Sequence, residues 1–125
     1  MSEPRIRYDE PSDALHIAFI RGRGATGIEL NENILLRIDT GAGEPVGITI
    51  FNFSIIAQPT DIGPRSFPLT GLVDLDEDMR DTVMRIIRHS AVADYLALSG
   101  STPTGSPGFK IPSLSLQTER MIQHA

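Results

Sequence analysis

The feature that most limits the fold is a two-residue alternation of apolar side chains that runs from Arg5 to Phe51. Turn-forming residues interrupt this alternation at short intervals, and such a pattern is typical of half-buried antiparallel strands. We therefore expect a sheet with one strongly apolar face. The pattern fits five short strands, at residues 5–9, 14–20, 26–30, 34–38 and 45–51.

A sheet with one apolar face needs a second layer to cover that face. A helix is predicted for this layer, because apolar residues recur at helical spacing at Leu75, Met79, Val83 and Ile86 or Ile87. Either Asp74 or Asp76 is placed to cap the N-terminus of this helix. The predicted fold class is α+β, a five-stranded antiparallel β-meander packed against one or two C-terminal helices.

The chain divides into one domain and a tail. Residues 1–98 are expected to form a single α+β domain, made of a β-meander at 1–57, a crossover loop at 58–73 and a helical layer at 74–98. After Leu98 the composition shifts to Ser, Thr, Gly and Pro, which favours a flexible arm over 99–113. Residues 114–125 form a short tail that is helical, docks on a partner or is an ordinary frayed terminus.

Charge and hydropathy argue against two classes of partner. The 16 acidic and 11 basic side chains among 125 residues leave a formal net charge of −5, which opposes attraction to nucleic-acid phosphates and to anionic lipid. No apolar run approaches the roughly 20 residues of a membrane-spanning helix, and the N-terminus is polar. We therefore predict no nucleic-acid partner, no membrane partner and a cytoplasmic location.

Three glycines invite comparison with a dinucleotide-binding turn. Gly22, Gly24 and Gly27 fall at the G-x-G-x-x-G spacing of such a turn. In a dinucleotide site these glycines open a helix whose N-terminus holds the pyrophosphate, whereas here the residues that follow have the two-residue period of a strand. We therefore predict a hairpin connection in which the glycines supply positive φ, and we predict no cofactor.

An acidic run resembles a calcium loop in spacing alone. Asp74, Asp76 and Asp78 occupy loop positions 1, 3 and 5, but Met79 replaces the required glycine and Arg85 replaces the bidentate glutamate. A helix-capping cluster accounts for these acids. The chain also contains no cysteine, which excludes a thiolate metal site and a disulfide framework. No metal is predicted.

The candidates for a catalytic site are Asp9, Asp13 and His16, which flank the first predicted hairpin. A carboxylate and an imidazole in close proximity can hold a metal or act as an acid–base pair. The alternative is structural: the two aspartates accept backbone N–H groups in a turn, and His16 is solvated or hydrogen-bonded.

Two segments of the chain resemble a known bacterial family. The segments are IRYDEPSDALHIAF, from Ile6 to Phe19, and ILLRIDTGAGEPVGITIFNFSII, from Ile34 to Ile56. The resemblance is to domain of unknown function 2283, and the matching positions are Tyr8, Asp9, Asp13, Ala14, Leu15, Ile17, Val46, Gly47, Ile48, Ile50 and Ser54. His16 stands where the family usually has Tyr, and Thr49 where it usually has Glu. The resemblance covers about residues 5–57 and implies a compact β-meander of unassigned function.

The first functional hypothesis is a non-enzymatic interaction or regulatory module that self-associates and is able to bind a protein partner. It is motivated by apolar residues in excess of what one helix covers, namely Leu35, Phe51, Phe53, Ile55 and Ile56. The alternative is a small-ligand or metal-dependent enzyme with its site near the first hairpin.

Overall fold

A computed structural model of the chain describes residues 4–20, 25–57, 66–98 and 113–116. Its larger sheet has five antiparallel strands, in the spatial order β1-β2-β5-β4-β3. The strands are β1 (Arg5–Asp9), β2 (Ala14–Ala18), β3 (Thr26–Glu29), β4 (Ile34–Asp39) and β5 (Glu44–Phe51). The five predicted strands and the α+β fold class are confirmed.

The strand order departs from a simple meander because β5 lies between β2 and β4. The connection from β2 to β3 is therefore not a hairpin, and the prediction of a glycine hairpin there was wrong. Gly22 and Gly24 lie outside the described residues, and Gly27 lies within β3 without a positive φ. The residues of β5 explain this order: positions 45–50 carry no charged side chain on either face, and the strand is buried throughout these positions at the centre of the sheet.

The remaining elements follow β5 in the chain. They are α1 (Phe53–Ile56), β6 (Ser66–Pro68), a 3₁₀ helix (Thr70–Asp74), α2 (Glu77–Ile87), α3 (Ser90–Ala93), β7 (Leu96–Leu98) and β8 (Ser113–Leu116). Three of these strands form a second antiparallel sheet in the order β6-β8-β7. The predicted helical layer at 74–98 contains α2 and α3 but ends in strand β7, and parts of the predicted crossover loop, arm and tail are strand. The rest of the arm and tail lies outside the described residues.

One continuous core joins the first sheet to the helices. The apolar face of the sheet supplies most of the side chains that are fully buried, namely Leu15, Ile17, Ile34, Leu36, Ile38, Ile48 and Ile50. Helix α2 adds Val83, Ile86 and Ile87 to the same core. Arg80 fixes the start of α2 against the 3₁₀ helix, because its side chain donates to the Leu72 and Leu75 carbonyls.

The 3₁₀ helix packs closely on the end of β3. The Gly71 N–H donates to the Leu30 carbonyl at 2.8 Å. A Cβ at this position would lie 1.8 Å from the Glu29 carbonyl oxygen, so only glycine permits the approach. This contact holds the 3₁₀ helix against one outer strand of the sheet.

Helix α2 begins at the predicted cap. The Asp76 carboxylate accepts the Met79 N–H at 2.8 Å. We expect Asp76→Ala to lower the free energy of unfolding by about 1 kcal/mol, because one N–H of the first turn loses its acceptor. Urea unfolding measures this change. Asp76→Asn retains a capping oxygen and should lose much less; equal losses in both variants would contradict a capping role.

Candidate functional site

The polar side chains of the first sheet gather on the face opposite the core, here called the open face. In β1 and β2 this face consists of the residues that alternate with core residues, namely Arg5, Arg7, Asp9, Ala14, His16 and Ala18. In β4 and β5 it consists of Leu35, Arg37, Gly47, Thr49 and Phe51. The register aligns one row as Arg37, Gly47, Ala18 and Arg5, and the next as Leu35, Thr49, His16 and Arg7.

Asp13 joins the turn between β1 and β2 to the turn that follows β5. Its carboxylate accepts the Tyr8 hydroxyl at 2.6 Å, the Ser54 N–H at 3.0 Å and the Ser54 hydroxyl at 2.7 Å. Its carbonyl accepts the Phe53 N–H at 3.0 Å. Asp13 has a φ of 53° and Asn52 a φ of 56°, so each turn holds a residue other than glycine in the left-handed region.

Asp9 and His16 lie on the open face and have other partners. The Asp9 carboxylate accepts the Ser12 hydroxyl, and His16 Nδ1 lies 3.1 Å from Thr49 Oγ1. The structure therefore places Asp9 and His16 on one face of the sheet, whereas Asp13 bonds to Tyr8 and Ser54. A catalytic role for Asp9, Asp13 and His16 stays a prediction.

Hydrogen bonding shifts the pKa values of Tyr8 and Asp13 in opposite directions. The bond from Tyr8, and then those from Ser54, hold the pKa of Asp13 below its ordinary value because they stabilise the carboxylate. The same bond to Asp13, and to a lesser extent desolvation and negative charge nearby, raise the pKa of Tyr8. The pair is therefore most stable as a neutral phenol and an ionised carboxylate.

A depression on the open face is lined by basic side chains. It has a volume of about 400 Å³ and is lined by Arg5, Ile6, Arg7, His16, Ala18 and Arg37. Burial lowers the pKa of His16, and the charges of Arg7 and Arg37 lower it further, while Asp9 acts in the opposite direction. The depression is thus cationic even though the chain has a net charge of −5.

The sequence pattern alone does not single out the three arginines of this depression. Arg5 and Arg7 alternate within one predicted strand, which places them on one face of a sheet. Arg37 joins them only because β5 separates β4 from β2 and carries glycine at the aligned position. Periodicity gives no signal of that strand order.

The part of the chain that contains the depression and the Asp13 contacts matches a known protein family. Residues 5–54 match the family described as protein of unknown function (DUF2283). The match confirms the resemblance expected from the sequence. The region that matches DUF2283 runs from the start of β1 to Ser54, the residue whose side chain bonds to Asp13. No curated protein and no solved structure matches the chain.

Two observations concern membranes and metals. Among the described residues, no helix has the length and apolar character needed to cross a membrane. The same part of the chain contains no group of three or more His, Asp or Glu residues that could hold a metal ion.

Proposed function

We propose that this chain is a non-enzymatic interaction or regulatory module that self-associates through the outer edge of β1. The observation that carries the proposal is that, within the described part of the chain, β1 pairs with β2 alone. An unpaired edge offers N–H and C=O groups to another strand. At the opposite edge, the 3₁₀ helix already contacts Leu30 at the end of β3 through Gly71.

The backbone groups of Ile6 and Tyr8 support this edge as the contact. Residues of an antiparallel strand direct their backbone groups alternately to the two neighbouring strands. The Phe19 N–H donates to the Val46 carbonyl at 2.8 Å. The odd-numbered residues of β2 therefore direct their backbone groups toward β5, and the even-numbered residues direct theirs toward β1. The register between β1 and β2 then directs the groups of Ile6 and Tyr8 outward.

The charges of β1 favour a second copy as the partner. The strand begins at Arg5 and has Arg7 at its centre, whereas Asp9 ends it and Glu10 follows. An antiparallel copy centred on Tyr8 places Arg7 of each chain opposite Asp9 of the other. Opposite charges directly across two strands stabilise the pairing, and a twofold axis repeats the contact.

Exposed apolar side chains lie next to this edge or at the adjacent end of the sheet. Tyr8 is 38% exposed, Phe51 is 40% exposed and Ile55 is 59% exposed. Of the other residues expected to remain uncovered, Ile56 is buried in the core, Phe53 is half-buried against it, and Leu35 is half-buried on the open face. The exposed set adds apolar area to an edge contact, and Tyr8 would face its own copy across the axis.

The test is the assembly state at high micromolar concentration. A five-residue edge is small beside stable interfaces, which bury about 1,200 Å² or more, so we expect a dimer that dissociates on dilution. Arg7→Glu should abolish the dimer because it places two acids opposite each other. Sedimentation equilibrium across a concentration series measures the effect.

The charge-exchanged variant Arg7→Glu/Asp9→Arg is the matched control. It restores opposite charges across the axis, so the dimer should return. A wild-type chain that stays monomeric throughout the series would refute the proposal. A dimer that Arg7→Glu leaves intact would show that another surface is responsible.

A further inference from the structure

We infer that the depression between Arg5, Arg7, His16 and Arg37 is a binding site for a small molecule that carries a phosphate group. Its volume of about 400 Å³ falls in the range of small-molecule sites, about 300–1,000 Å³. Three of its lining residues, Arg5, Ile6 and Arg7, belong to the β1 strand whose outer edge carries the proposed self-association.

Two arginines stand at the ends of one row across four strands. Arg37 in β4 and Arg5 in β1 flank Gly47 and Ala18 in this row. Adjacent strands are about 4.8 Å apart, which separates the two arginine backbones by about 14 Å. Because positions 47 and 18 carry no side chain larger than a methyl group, both guanidinium groups can approach a ligand above them.

The Arg37 side chain extends over the backbone of Gly47, its neighbour in this row. A Cβ at Gly47 would lie 2.9 Å from Arg37 Nη2 and 3.4 Å from Arg37 Cζ, so the guanidinium occupies the space that any side chain at position 47 would fill. Among the described residues, Arg37 Nε is buried without a hydrogen-bond partner. A buried donor of this kind is destabilising until it gains an acceptor, which a bound oxyanion supplies once the Arg37 side chain turns Nε into the depression.

The arrangement of donors favours phosphate over carboxylate. The guanidinium groups of Arg5, Arg7 and Arg37 come from two strands at opposite sides of the depression. Each presents paired N–H donors that match two oxygens of an anion. A phosphate group directs oxygens toward several sides at once, whereas a carboxylate offers two oxygens in one plane. His16 also lines the depression.

Titration calorimetry with inorganic phosphate and with ribose 5-phosphate tests the site. We expect both to bind the wild-type chain and Arg37→Gln to weaken each by about tenfold, the effect of losing one charge-assisted bond. Arg88→Gln is the matched control, because it removes the same charge from an exposed residue at the end of α2. It should leave both affinities unchanged.

Stability without ligand separates a binding role from a structural one. Removal of Arg37 Nε breaks no hydrogen bond among the described residues, so Arg37→Gln should melt close to the wild-type chain. Phosphate should raise the melting temperature of the wild-type chain more than that of the variant. Arg5→Gln, on the exposed edge strand, provides a second variant that should also weaken binding.

Three results would overturn the site. They are no binding of either phosphate compound, equal binding to wild type and Arg37→Gln, and binding of a short single-stranded oligonucleotide where phosphate does not bind.

A bound phosphate should also raise the pKa of His16 in an NMR titration, because a nearby anion favours the imidazolium. Arg37→Gln should keep the assembly state of the wild-type chain, so failure of this site and failure of self-association are distinguishable.

Discussion

Gly71→Ala is expected to lower the free energy of unfolding by about 1–3 kcal/mol, the range for forced overpacking. The new Cβ would lie 1.8 Å from the Glu29 carbonyl oxygen and 3.1 Å from that of Leu30. Both obstacles are backbone atoms, so no side-chain rotation relieves the clash. The 3₁₀ helix must move away from β3, and the Gly71–Leu30 hydrogen bond is lost with it.

Gly41→Ala is the matched control for this substitution. Gly41 lies in the exposed turn before β5, where a Cβ would meet only Asp39 Oδ1 at an ordinary 3.5 Å. Its effect should stay within about 0.5 kcal/mol in urea unfolding. Equal stability of the two variants would mean that the 3₁₀ helix does not depend on close contact with Leu30.

The same substitution has a consequence for assembly. When the 3₁₀ helix leaves the end of β3, a second edge of the sheet becomes available for pairing. We expect Gly71→Ala to form species larger than a dimer at high concentration, and sedimentation velocity resolves them. The wild-type chain, with β3 covered at Leu30, should not form them.

The strands were predictable because each one carries its own signal. Ile34, Leu36 and Ile38 alternate with Leu35 and Arg37 in the sequence, and the structure buries the first three completely. Strand order was not predictable in this way, since periodicity reports which face a residue takes and not which strand lies beside it. The second sheet was missed because β6 and β7 have three residues each, too few to establish a period.

The candidate site, like the sheet, combines residues that are close in sequence with a contact between residues that are far apart in sequence. Proximity in the sequence is what makes Asp9, Asp13 and His16 candidates. The partner of Asp13 is Ser54, 41 residues away, and their contact depends on the position of β5 beside β2. Both residues match the family pattern, but the pattern does not indicate that they are in contact.

Asp13→Ala is expected to melt well below the wild-type chain, because it affects two features of the junction at once. It removes the acceptor of the Tyr8 hydroxyl and of both Ser54 donors. It also places alanine at a φ of 53°, which alanine tolerates poorly and asparagine tolerates well. Asp13→Asn keeps the backbone conformation and one acceptor oxygen, so it should melt between the two.

The pH dependence of these variants separates the charge of Asp13 from its shape. The folded pKa of Asp13 lies below the ordinary 3.8, so its ionised form stabilises the fold fully above that pH and loses this effect as the pH falls through the folded pKa. The stability difference between wild type and Asp13→Asn should therefore shrink in acid below about pH 4. A difference that is constant with pH would assign the role of Asp13 to its backbone conformation alone.

Ionisation of Tyr8 changes the stability of the fold in the opposite direction, at alkaline pH. Its pKa is raised from 10.0, so the neutral phenol stabilises the fold fully below that pH, and this contribution is lost as the pH rises through the folded pKa. Tyr8→Phe should show no such alkaline loss.

If Tyr8 and Asp13 act through one hydrogen bond, the double variant Tyr8→Phe/Asp13→Asn should be less destabilised than the sum of the single variants, because the second substitution then removes a bond that is already broken.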